Sequence, residues 1–77
     1  MPFANRVWLI ADVNPKTRSL TRAYRMVHGS FQVGRPGGDP QVVLFWAEGP
    51  NMDSSLRLMN EELKNPRWDW IRPILEE

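Results

Sequence analysis

The chain has 77 residues, with 10 Lys and Arg against 9 Asp and Glu, no Cys and 42% apolar residues. A chain this short buries only about 60% of the surface that its unfolded form exposes, so we expect one core in one domain, residues 1–77. The lack of Cys excludes a disulfide framework and a thiolate zinc site, and it favours a cytoplasmic location. No apolar run reaches the roughly 18 residues that cross a bilayer, so no membrane association is expected.

Two segments, residues 7–13 and 41–47, are apolar at both sets of alternating positions. In the first, one set includes Val7 and Leu9 and the other is Trp8 and Ile10. A strand buried on both faces of a sheet has this pattern, whereas a half-exposed strand alternates apolar with polar residues. The sequence therefore predicts two central strands.

The segment between them, residues 14–29, fits two structures, because Asn14 and Pro15 can open either a helix or a type I turn between strands. As a helix, it has Asn14 as cap, Gly29 as its end and an apolar stripe of Leu20, Ala23, Tyr24 and Val27. As a strand, it places an Arg in each alternating set of side chains. The stripe favours the helix.

The rest of the chain predicts a short strand at residues 30–33, a Gly- and Pro-rich loop at residues 34–40 and a helix that begins at Asn51 or Asp53. That helix has one apolar stripe, formed by Met52, Leu56, Met59 and Leu63. Residues 67–72 alternate like a strand, and Pro73 confines that strand to an edge.

This order is β-α-β-β-α-β, so the sequence predicts an α+β fold of the small ferredoxin-like type. If residues 14–29 are extended instead, the fold is a three-stranded antiparallel meander with a C-terminal helix. The ferredoxin-like arrangement places both helices on one face of the sheet and leaves the other face open.

An open face next to strands that are apolar on both sides predicts an aromatic interaction surface. Trp is the residue type most enriched at binding hot spots, and the chain has 4 Trp. We therefore expect a non-enzymatic module without a cofactor that binds a partner protein or a second copy of itself. By analogy with phage-encoded inhibitors of host defence, its small size suggests that it masks a surface of a larger machine. The expected contact residues are Trp8, Ile10, Phe45, Trp46, Trp68 and Trp70.

A second hypothesis is single-stranded nucleic acid binding. Trp8 in the first strand, with Phe45 and Trp46 in the third, resembles the aromatic signatures of RNA-recognition motifs, which share the β-α-β-β-α-β order. This resemblance implies that bases stack on those rings while arginines neutralise phosphates. The arginines assigned to that role are Arg18, Arg22, Arg25 and Arg35.

A third hypothesis concerns Asp12, which ends the first strand. The segment is similar to that of Cas2-type proteins, small ferredoxin-like dimers, and this similarity implies a divalent metal on Asp12 and a metal-dependent nuclease. The residues themselves offer little for catalysis, since His28 is the one His and no Cys is present. From the residues alone, Asp12 before Asn14 and Pro15 is typical of a turn, and we expect no metal.

Overall fold

The computed structural model describes residues 5–27 and 40–76. It shows an α+β fold with one three-stranded antiparallel sheet, one α-helix and two short 3-10 turns. The elements are β1 (Arg6–Val13), β2 (Leu20–Val27), β3 (Gln41–Glu48), α1 (Met52–Leu63) and 3-10 turns at Pro66–Trp68 and Arg72–Ile74. The strand order is β2-β1-β3.

The predicted ferredoxin-like arrangement is not found in these residues. The alternative, a three-stranded antiparallel sheet followed by a helix, is closer. It is wrong in one respect, because β3 pairs with β1 and not with β2, so the sheet is not a meander. The predicted strand at residues 30–33, most of the predicted loop, His28 and Arg35 lie outside the described residues.

β1 is the central strand, as its apolar pattern predicts. Val7, Leu9 and Ala11 are fully enclosed on the side of the sheet that α1 covers. Burying a Val or Leu side chain completely stabilises a fold by about 1.5–3 kcal/mol. The core that they share with the other elements also contains Ala23, Ala47, Met59, Leu63, Trp68 and Ile71.

The prediction of a helix at residues 14–29 is wrong. The Asn14 side chain accepts hydrogen bonds from the backbone N–H groups of Lys16 and Thr17 at 2.9 and 3.3 Å, which closes a turn. Arg18 then takes a left-handed backbone conformation, with φ at 63°. The chain reverses there, and residues 20–27 pair with β1 as β2.

β3 is predicted as a central strand, but in the described sheet it lies at the edge. Its pairing with β1 slips by one residue, since Leu9 lies opposite Phe45 while Ile10 lies opposite Val43. Leu44 is therefore the extra residue of a β-bulge, and both Leu44 and Phe45 pack against the core. The bulge explains why the adjacent residues Leu44 and Phe45 both pack against the core, whereas Val42, Val43 and Trp46 extend the apolar run with more than a third of their surface exposed.

The helix α1 confirms its prediction. The Asn51 side chain caps it by accepting from the backbone N–H of Ser54 at 2.9 Å. Met59 and Leu63 lie buried on its inner stripe. No helix within the described residues is long and apolar enough to span a membrane.

The predicted edge strand at residues 67–72 is wrong, because these residues lie in turns. Asn65 caps the first 3-10 turn by accepting from the backbone N–H of Arg67 at 3.0 Å, and prolines stand at the start of both turns. The alternation of Trp68 and Trp70 thus follows the turns rather than a pleat. Beyond them, Leu75 forms a parallel bridge with Ala23 of β2.

Candidate interaction surface

The sheet has two unlike faces. α1 and the 3-10 turns cover one, which we call the helix side. We call the opposite side the outer face. Its side chains follow from the alternation along β1 and from the register of β1 with β2 and β3. The outer-face residues are Arg6, Trp8, Ile10, Asp12, Arg22, Tyr24, Met26, Gln41, Val43, Trp46 and Glu48.

One end of the outer face is aromatic. The rings of Trp8 and Trp46 have their centroids 6.3 Å apart at an angle of 53°. The guanidinium carbon of Arg6 lies 3.7 Å from the Trp46 ring centroid, and Arg6 also forms an ion pair of 3.0 Å with Glu48. The Arg6 side chain is only 14% exposed, because it packs between Glu48, whose charge it neutralises, and the indole of Trp46. Trp46 itself stays 46% exposed.

The opposite end of the outer face is polar. Asp12 is 8% exposed, and its Oδ1 accepts hydrogen bonds from the Tyr24 hydroxyl at 3.2 Å and from Gln41 Nε2 at 3.3 Å. Its Oδ2 lies 3.5 Å from Arg22 Nε, and Arg22 also reaches Glu76 at 3.6 Å. Both carboxylate oxygens therefore already have donors, which gives Asp12 a structural role at the sheet end.

This network bears on the metal hypothesis for Asp12. A hard cation requires several oxygen ligands. Among residues 5–27 and 40–76, no cluster of three or more His, Cys, Asp or Glu side chains could hold a metal ion. The side chains around Asp12 are instead donors.

The six predicted partner-binding residues do not form one patch. Trp8, Ile10 and Trp46 lie on the outer face, but Ile10 is fully enclosed and offers no surface to a partner. The other three belong to the helix side or to the turns, so their assignment to a single sheet face is wrong.

Those other three form a separate aromatic row. Phe45 meets Trp68 edge to face with centroids 6.1 Å apart, and Trp68 stacks on Trp70 at 6.2 Å. Trp68 is buried and its Nε1 donates to Glu62 Oε2 at 2.6 Å, which makes it a core residue. Trp70 is 55% exposed, with its Nε1 bound to the backbone carbonyl of Arg67.

The arginines assigned to nucleic acid are also dispersed. Arg22 lies on the outer face beside Asp12, whereas Arg25 lies on the helix side and donates to Asn60 Oδ1 at 2.6 Å. Arg18 lies in the turn between β1 and β2. The described arginines thus do not form a continuous basic track along the sheet.

Two of the exposed apolar residues that the sequence analysis missed, Val42 and Val43, are on β3. Val42 and Val43 are 37% and 39% exposed, and with Trp46 they form what we call the β3 strip. Residues 43–46 also line an open depression of about 540 Å³. The unbroken apolar run of β3 concealed these positions, because it is typical of a buried strand.

Comparisons with protein-family models, with curated proteins and with solved structures return no match to this chain. The choice among protein binding, nucleic acid binding and metal-dependent catalysis therefore depends on the geometry of β3 and of the outer face.

Proposed function

We propose that this domain is a non-enzymatic protein-interaction module and that the β3 strip is its contact surface. One observation carries this proposal: three of the large apolar side chains with more than a third of their surface exposed, Val42, Val43 and Trp46, belong to the same edge strand. Val43 and Trp46 lie on the outer face and Val42 on the helix side, so the three side chains flank the outer edge of β3 from both faces. Exposed apolar residues scattered singly are normal, whereas several along one strand edge mark a site of interaction.

Trp46 is suited to be the centre of this contact. Its ring is fixed from beneath by Arg6 and from the side by Trp8, so binding costs little side-chain entropy. A Trp side chain can bury roughly 150–250 Å² in a contact, and Trp46 is 46% exposed here. Trp is one of the residue types enriched at binding hot spots.

The charge around the strip favours protein over nucleic acid. Glu48 is the one ionisable residue of β3, and Arg6 neutralises it. Nucleic acid binding depends on cations free to approach phosphates. Arg22 and Arg25, which the nucleic acid hypothesis requires, are held by Asp12 and Asn60.

Site-specific photo-crosslinking in the cells that produce the chain tests this function. A photoreactive amino acid at Val42 should give protein adducts that resist nuclease, because position 42 belongs to the strip. The matched control is the same amino acid at Leu58, which is 50% exposed on α1. Equal adducts at both positions, or nuclease-sensitive adducts at position 42, would contradict the proposal.

A further inference from the structure

Among residues 5–27 and 40–76, no segment pairs with the outer edge of β3. Within the described ranges, only β1 pairs with β3, so the backbone N–H and C=O groups along its other side have no strand partner there. Edge strands are commonly protected by charged side chains, by Pro, by a covering segment or by a β-bulge. The bulge of β3 lies in its pairing with β1, and the one charged side chain of β3, Glu48, is paired with Arg6. Residues 41–48 contain neither Lys nor Pro.

The bulge gives β3 an unusual symmetry. Its outer-face residues are Gln41, Val43, Trp46 and Glu48, and its helix-side residues are Val42, Leu44, Phe45 and Ala47. The sequence of outer-face and helix-side positions along β3 is therefore the same from residue 41 to 48 as from residue 48 to 41. In a strand without a bulge, antiparallel pairing about a point between two residues would set opposite faces side by side. In β3 that pairing matches all eight residues face to face.

We propose that β3 pairs antiparallel with β3 of a second copy, about a two-fold axis between Leu44 and Phe45, to give one continuous six-stranded sheet. This inference rests on the proposed function and names its partner. It places Val43 opposite Trp46 of the second copy on the outer face, twice in each dimer. The most exposed apolar side chains of the strand thus cover one another.

The charges of the strand fit this pairing. The two-fold axis sets Gln41 opposite Glu48 of the second copy, so the carboxylate meets a neutral side chain and not a like charge. Glu48 retains its Arg6 partner at 3.0 Å, and no other ionisable side chain of β3 enters the interface. The middle of β3 is uncharged, so it offers no charge complementarity to a strand of a different protein.

Sedimentation equilibrium of the purified chain tests the second copy. The apparent mass should rise with concentration from 9.0 kDa toward twice that value. Val43→Lys places a charge in the interface at a position that is exposed in the monomer, and should raise the dissociation constant at least 10-fold. Leu58→Lys, which exchanges an exposed apolar residue on α1, should leave the dissociation constant unchanged.

The outcomes separate this inference from the proposed function. A chain that stays monomeric at all concentrations, yet gives nuclease-resistant adducts from position 42 to another protein, overturns the second copy and leaves the interaction module intact. A dimer that Val43→Lys and Leu58→Lys weaken equally shows that β3 is not the interface.

The register has its own test, because the chain has no Cys. Chains that carry Gln41→Cys and chains that carry Glu48→Cys should form a disulfide heterodimer on mild oxidation of their mixture. Chains of either variant alone should give little disulfide, since like positions lie at opposite ends of the paired strands. Disulfide formation in the single variants that equals that of the mixture would overturn the proposed register.

Discussion

The two edges of this sheet are closed to different degrees. At the β2 edge, Leu75 bridges to Ala23, and the backbone N–H of Glu76 donates to the Ala23 carbonyl at 2.8 Å. β2 also carries Arg22 and Arg25, whose charges disfavour further pairing. At the β3 edge, no described segment pairs with the outer side of the strand, and the central residues of β3 are all uncharged.

The difference shows how a small domain separates stability from association. The C-terminal tail stabilises the domain and covers one edge at the same time, because Ile71 inserts into the core just before Leu75 reaches β2. The other edge keeps its hydrogen-bonding capacity. Within the part of the chain that the structure describes, the β3 edge is the one along which no strand or tail pairs.

The largest effect is expected from Ile71→Ala, which tests whether the tail closes the β2 edge. Ile71 is fully enclosed, so the substitution should lower the free energy of unfolding by about 2–5 kcal/mol. Urea unfolding followed by Trp fluorescence measures this loss. Leu58→Ala on the exposed face of α1 is the control, with an expected change within about 0.5 kcal/mol. A loss at Ile71 as small as that of the control would show that the tail does not anchor the edge.

A smaller effect is expected from Ser55→Ala, which acts where β3 passes into α1. The buried Ser55 hydroxyl accepts from the backbone N–H of Gly49 at 2.8 Å and donates to the Asn51 carbonyl at 3.1 Å. Its removal leaves that N–H without this acceptor, which should cost about 1–3 kcal/mol of stability.

The neighbouring Ser54 provides a matched control for Ser55. It contributes its backbone N–H to the Asn51 cap, and Ala retains that group. Ser54→Ala should therefore change the urea midpoint much less than Ser55→Ala does. Equal shifts in midpoint would remove the Ser55 hydroxyl from the account of how β3 is fixed.

Arg6→Met tests the support beneath Trp46 at the β3 edge. Loss of the guanidinium should cost about 0.5–2 kcal/mol, because it removes both the contact with the indole and the ion pair with Glu48. The Trp fluorescence anisotropy of the native state should fall as the ring gains freedom. Arg6→Lys keeps a cation, so its anisotropy should lie between that of the unaltered protein and that of Arg6→Met. An unchanged anisotropy in Arg6→Met would contradict the role of Arg6.

The smallest effect is expected from Glu76→Gln at the β2 edge. Glu76 forms an ion pair of 3.6 Å with Arg22, and both side chains are about half exposed. Such pairs contribute little, so the loss should be below about 0.5 kcal/mol and should vanish at high salt. A loss comparable to that of Ile71→Ala would show that charge, rather than burial, closes this edge.

Local signals predicted some elements correctly. Asn51 and the stripe of Met59 and Leu63 fix α1 because capping and helical periodicity act within the segment itself. β1 was predicted as a central strand because both its faces are apolar. Neither inference needs to know what the segment packs against.

The elements that were missed depend on distant partners. The sequence predicts a helix for β2 because a strand would place Arg22 and Arg25 among apolar side chains. In the structure, Asp12 of β1 forms an ion pair with Arg22, and Asn60 of α1 accepts a hydrogen bond from Arg25. The surface was only partly predicted, since Trp46 is exposed as expected but Trp68 is in the core. The bulge at Leu44, which decides which residues of β3 share a face, leaves no mark in an uninterrupted apolar run.

Amide hydrogen exchange measured at several protein concentrations compares the two edges most directly. If β3 pairs with a second copy, exchange of residues 41–48 slows as the concentration rises, whereas exchange of residues 20–27 stays constant. Exchange in β3 that is independent of concentration, or protection that rises equally in β2 and β3, would contradict the account.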